Sequence, residues 1–216
     1  MHKPYTKRWA HGLMKPKPVQ TRYPARGELF YVKACNGAGK STIPSYCAER
    51  DPEAYTVSQD GRILLTVMPS YGMLAFGKYD KSKSKGVDSL KDYDEMKKAV
   101  ELSELEEFIG YTAFFEGVIP STILHTWVEY LNRPARPLTT VFIDTDLETC
   151  LSRVNSRNGG AEFNADLVTE KFNRVMSHKT RHKELFPSVP AVTIRSQGIT
   201  IDEMVSLFLN REFEGI

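Results

Sequence analysis

The chain has 216 residues, of which 41% are hydrophobic, 11% aromatic and 26% charged. Such a length and composition predict one soluble globular domain and exclude a disordered chain or a collagen-like repeat. No run of 18 or more apolar residues occurs, so no membrane span is expected.

The net charge of +2 conceals a division. Residues 1–27 hold Lys3, Lys7, Arg8, Lys15, Lys17, Arg22 and Arg26, four of the 12 prolines and no acidic residue. Residues 28–216 hold 22 basic and 27 acidic residues. A basic, proline-rich arm is expected ahead of a mildly acidic domain. Its prolines oppose a transit-peptide helix, and no secretory h-region is present. Cys35, Cys47 and Cys150 are far apart and form no zinc-type cluster, which predicts a reducing, cytoplasmic setting.

The first predicted strand is ELFYVKA at 28–34, followed by a glycine-bearing turn and a helix over about 40–50. Pro44 falls early in that helix, where amides lack intrahelical acceptors. Strands are predicted at 54–58 and 63–68, with Asp60-Gly61 as a tight hairpin turn, and another at 73–76. The polar stretch GKYDKSKSKGVD, 77–88, reads as a mobile loop, and a helix is predicted over about 89–107. A buried-type strand follows at 111–115, then an amphipathic helix marked by Ile123, Leu124, Trp127, Val128 and Leu131. LTTVFID, 138–144, is the next strand, and Leu147, Cys150, Leu151 and Val154 trace a helical stripe. A basic helix is predicted over about 165–185, a strand at 191–195, and a last helix opening on the capping-box pair Thr200 and Glu203. The alternation predicts an α/β, three-layer fold of the phosphate-loop NTPase type. Its expected sheet is mainly parallel and five-stranded, with an antiparallel insert near 54–80.

The strongest motif is ACNGAGKST at 34–42, a Walker A pattern with Ala34 in the first glycine position. A tight turn must aim backbone amides at phosphate oxygens, and Gly37 and Gly39 permit the dihedrals. Asn36, Gly37, Ala38, Gly39, Lys40, Ser41 and Thr42 are therefore expected to hold ATP. Lys40 would lie on the β/γ-phosphates and Ser41 on Mg²⁺. No N-K-x-D guanine motif follows, and the strand ending TAFFEG carries Glu116 without an aspartate, so a small kinase fits better than a G-protein or a motor. Arg153 and Arg157 stand four residues apart beside Asn158-Gly159-Gly160, suited to clamping a phosphoryl group, with a lid expected at about 153–165. The acceptor hydroxyl needs a carboxylate, and Asp60 and Glu116 both follow strands. Asp-Gly is also a favoured turn, so Asp60 has a structural alternative.

These stretches resemble the small phosphate-loop kinases of the nucleotide and polynucleotide kinase grouping. More narrowly, GKYDKSKSKGVDSL (77–90) with FFEGV (114–118) resembles the phage 5-hydroxymethyluracil DNA kinases. That resemblance implies ATP, Mg²⁺, DNA as substrate, a base hydroxymethyl group as acceptor and a phage-infected bacterial cytoplasm. Independent of it, the arm interleaves charge with Tyr5, Trp9 and Tyr23. Lys171, Arg174, His178 and Arg181 follow a helical stripe. Arg62 and Asp80 are further candidates for the substrate site, and Asp80 and Asp88 also for the acceptor-side carboxylate, while Lys78, Lys81, Lys83 and Lys85 surround Tyr79. Together they suit an extended polyanion. No obligate protein partner is expected. A free nucleotide or nucleoside kinase, a polynucleotide 5′-kinase and an ATP-switched nucleic-acid-binding protein stay open as alternatives.

Overall fold

The computed structural model describes residues 6–9, 27–80 and 85–216. Among the described residues it contains nine strands and seven α-helices. The chain divides into two compact units. The first takes the described residues of Met1–Phe30 together with Pro44–Phe115 and Leu131–Leu138; the second takes Tyr31–Ile43, Glu116–Tyr130 and Thr139–Ile216.

In the first unit the strand order is β1 (Thr6–Trp9), β3 (Tyr55–Gln59), β4 (Arg62–Met68), β5 (Met73–Phe76) and β6 (Thr112–Glu116). The first three pairings are antiparallel and β5 with β6 is parallel. Asp60 (φ 50°) and Gly61 (φ 78°) turn β3 into β4. Two successive left-handed residues match the right-handed strand twist, so the Asp-Gly hairpin expectation holds. Helix α1 (Thr42–Arg50) enters this unit at Pro44. Helix α2 (Tyr93–Ser103) is shorter than the predicted 89–107. Asp92 caps it by accepting from the Glu95 amide at 2.9 Å, and residues before that cap form a 3₁₀ turn at Val87–Ser89. Val57, Leu65, Val67, Met73, Phe76 and Phe115 are fully buried, each side chain contributing about 1.5–3 kcal/mol on removal from water.

The second unit contains most of β2 (Leu29–Lys33), then β7 (Leu138–Asp144), β8 (Ala191–Arg195) and β9 (Glu214–Gly215) in that order. Strands β7 and β8 are parallel, β8 and β9 antiparallel. Every residue of β2 is buried, the apolar run Leu29–Val32 as expected and Lys33 with it. Helices α3 (Val118–Ser121), α4 (His125–Leu131), α5 (Leu147–Arg157), α6 (Ala165–Leu185) and α7 (Ile201–Asn210) complete it, α4 ending at the first residue of the other unit's 131–138 stretch. The capping box at Thr200 and Glu203 is present.

Two corrections follow. The expected five-stranded, mainly parallel sheet is too small a description: the antiparallel region is larger than the 54–80 insert, because β1 from the basic arm extends it. The helix marked by Ile123 to Leu131 is present as α4, starting at His125, and a separate four-residue α3, not expected, precedes it and is closed by Thr122. No helix among the described residues is long and apolar enough to cross a membrane.

Candidate functional site

The turn after β2 is built as its glycines require. Gly37 (φ 82°) and Gly39 (φ 95°) are left-handed. A Cβ on Gly37 would stand 2.4 Å from the carbonyl oxygen of Cys150, so backbone lies directly on backbone there. Lys40 is only 5% exposed. Its Nζ donates to the carbonyls of Ala34 (3.0 Å) and Cys35 (2.9 Å) in its own loop. Ser41 and Thr42 lead into α1, and the Thr42 amide donates to Gly39 O at 3.0 Å. Asn36 Oδ1 is buried with no hydrogen-bond partner.

Helix α5 passes this turn. The sulfur of Cys150 lies 2.9 Å from that of Cys35, and both thiols are free. The bond from Cys150, with Lys40 nearby, pulls the Cys35 thiol below its usual range, while the same contact and burial push Cys150 up. One turn on, Arg153 donates from Nη1 to Gly37 O at 3.4 Å. Arg153 and Arg157 are both exposed and share the helix face expected from their spacing. Asp146 caps α5, accepting from the Thr149 amide at 2.7 Å. Thr145 Oγ1 reaches Ala38 O at 3.4 Å and also bonds Ser196 Oγ. Thus Ala38, Gly37 and Arg153 belong to one local structure.

Glu116, the last residue of β6, is 1% exposed and lies in the same unit as the loop. Asp60 lies in the other unit, in the exposed hairpin turn.

The expected nucleic-acid residues are scattered. In the first unit, Arg62 pairs with Glu95 at 3.1 Å. Lys78 bridges to Gly86 at the loop base, and Asp80 is exposed. The 77–88 segment is not wholly a mobile loop. A Cβ on Gly77 would sit 2.0 Å from Gly86 O, Lys85 Nζ donates to Ser45 Oγ at 2.9 Å, and Val87 is fully buried. Tyr79, expected to offer a stacking face, is 4% exposed and belongs to the core. Lys81 and Lys83, and Tyr5 and Tyr23 of the arm, lie outside the described residues.

In the second unit, Arg174 and Arg181 are exposed on α6, Arg174 bonding Glu170 at 2.6 Å, and Lys171 is half-buried. His178 breaks the expected basic stripe. Burial, and secondarily Lys33, push its pKa down to about 4, so it is neutral near pH 7. His182 is shifted likewise to about 4 and bonds Thr140 Oγ1 at 2.9 Å.

One group was not singled out by sequence reasoning. Lys33 is fully buried, and its Nζ donates to Tyr31 Oη (3.1 Å) and Pro120 O (3.4 Å). Burial, then the charge of Lys40, hold it well below the usual lysine range. The available signal was a lysine at the third same-face position of an otherwise apolar strand.

The loop, its buried lysine and Arg153 of the adjoining helix form one locally basic structure in an α/β fold. The comparisons narrow the class. The profile of the 5-hmdU DNA kinase family matches residues 11–206. This chain belongs to that family. It is 57% identical over 210 residues to 5-hmdU DNA kinase 1 of Salmonella phage ViI, covering 97% of this chain and 96% of that one. It is 33% identical over 178 residues to the 5-hmdU DNA kinase of Bacillus phage SP10, covering 80% of this chain and 26% of that longer protein. With the 5-hmdU DNA kinase of Pseudomonas phage M6 it shares 30% identity over 151 residues, 67% of this chain and 79% of the other.

Proposed function

We propose that this protein is an ATP-dependent kinase that phosphorylates the hydroxymethyl group of 5-hydroxymethyluracil in DNA. The observation that carries the reading is the 57% identity, over nearly the full length of both chains, to 5-hmdU DNA kinase 1. The loop chemistry supports it. Residues 34–42 hold no carboxylate, two left-handed glycines that turn the backbone amides, and a buried amine, a donor set that fits a polyphosphate. Asn36 to Thr42 would cradle the phosphates, and Lys40 would exchange its two carbonyl partners for phosphate oxygens. Ser41 would ligate Mg²⁺, which when bound neutralises charge on the β- and γ-phosphates.

The acceptor oxygen attacks the γ-phosphorus, ADP departs, and the hydroxyl proton passes to a carboxylate. Glu116 is the better candidate for that carboxylate, because it lies in the loop's own unit, whereas Asp60 already serves a turn. Arg153, beside Gly37 O, and Arg157 would balance charge on the transferring oxygens. Residues 1–27, with Lys78, Lys171 and Arg181, would supply phosphate contacts along the DNA. The test is mass spectrometry of nucleosides from hydroxymethyluracil-containing DNA incubated with enzyme and ATP. A phosphorylated base is expected. Product confined to free mononucleotides or to the 5′-terminal sugar would refute the reading.

A further inference from the structure

The segment that follows Glu116 is a short turn closed by its own amides, Ser121 N to Gly117 O, Thr122 N to Ile119 O and Ile123 N to Pro120 O. Helix α3 has four residues, and the Thr122 amide caps it on the Ile119 and Pro120 carbonyls. Strand β2 adds side-chain donors to it. The Tyr31 hydroxyl donates to Pro120 O and lies 2.7 Å from Ile123 O. Lys33 Nζ holds both Tyr31 Oη and Pro120 O. The Ala34 amide donates to Ser121 Oγ at 3.5 Å, and that hydroxyl donates to Gly117 O at 2.5 Å. Residues 31, 33 and 34 thus tie the 117–123 segment to the strand that opens the phosphate loop.

We infer that Lys33 and Tyr31 are positioning residues for phosphoryl transfer, capping the 118–123 turn so that Glu116 is held at a set distance from the loop. The inference rests on the reading of Glu116 given above.

Energetics separate this role from ordinary packing. Lys33 is 0% exposed, and its hydrogen bonds go to a phenol and a carbonyl, both neutral. The charge acting on it is that of Lys40 in the loop, while His178 and His182 of α6, which its own charge reaches, are neutral near pH 7, so none of the three offsets a buried ammonium. Burying an amine in such company opposes folding, and an apolar side chain of similar length would be the more stable choice. A lysine kept there for packing alone makes no physical sense. A lysine that holds a turn at hydrogen-bond distance does.

The test uses the full-length protein, DNA containing hydroxymethyluracil, and ATP. For Lys33→Met the expected result is a Tm equal to or above wild type with kcat lowered about 10- to 100-fold. The KM for ATP should stay within about twofold. Tyr31→Phe should lower kcat similarly and move the acidic limb of the kcat–pH profile. The double variant should be little worse than either single one, since both act through the same turn. Wild-type kcat in Lys33→Met, or a Tm loss with unaltered kcat per folded molecule, overturns the inference. Glu116→Gln separates the two levels. If it retains wild-type kcat, the Glu116 reading fails and the inference with it. If it is inactive while Lys33→Met and Tyr31→Phe are fully active, the positioning role alone fails.

Discussion

Each unit buries a cation on backbone carbonyls, and they use it differently. In the first, Arg136 is 4% exposed and its guanidinium donates to the carbonyls of Gly27, Tyr111, Ser103 and Phe108. Burial lowers its pKa only to about 10, so it stays charged. A planar fork with five donors suits four fixed acceptors from separate stretches of chain. In the second, Lys40 rests on two carbonyls of its own loop. A flexible stem with a point charge can leave such partners for a better anion. One cation ties separate segments together; the other, on the function proposed above, is a charge held ready.

The sharpest way to break that contrast is Lys40→Met. Phosphorylation of DNA should fall at least about a thousandfold, with little change in Tm. A large Tm loss would mean that Lys40 is a tie like Arg136. Next is Arg136→Leu, which removes one donor from each of four carbonyls, Phe108 O keeping the Tyr111 amide, and should cost about 3–5 kcal/mol in urea unfolding. Its activity per folded molecule should be near wild type. Gly37→Ala meets both a left-handed φ and the Cys150 carbonyl, so a loss of about 2–3 kcal/mol is expected, together with weaker nucleotide binding by calorimetry. Arg153→Lys keeps charge but loses the fork, and kcat should drop about tenfold with the KM for DNA little changed.

The smallest effect concerns pH. His178 and His182 have depressed folded values near 4, against an ordinary 6.5. Their neutral forms are favoured by the fold, so the associated stability is complete above pH 6.5 and drains as pH falls towards 4. Thermal unfolding should register a loss of roughly 1–2 kcal/mol across that window. Replacing both histidines by glutamine should flatten it.

Much of the fold was legible because its elements carry local signals. The bounds of β7, α6 and β8 coincide with those read from apolar runs and helical spacing. Strand β1 was hidden, since a charged segment flanked by prolines carries no alternation to mark it. The stripe on α6 was misread at His178, because a helical spacing counts charge without knowing where the buried face of Val175 and His182 begins. The loop 34–42 announced itself through glycines that only a special backbone requires. Arg136 did not, because all four of its partners are main-chain atoms that any sequence would supply.

The contact at Gly37 carries a consequence for how this molecule can vary. Where two main chains touch without an intervening side chain, the gap between loop and α5 is set by the peptide unit, which is common to all proteins. Neighbouring side chains can be exchanged and the core can repack, yet the register between Lys40 and Arg153 keeps the same built-in ruler. Loop and helix are in that sense one inherited part, to be grafted or redesigned together and never singly.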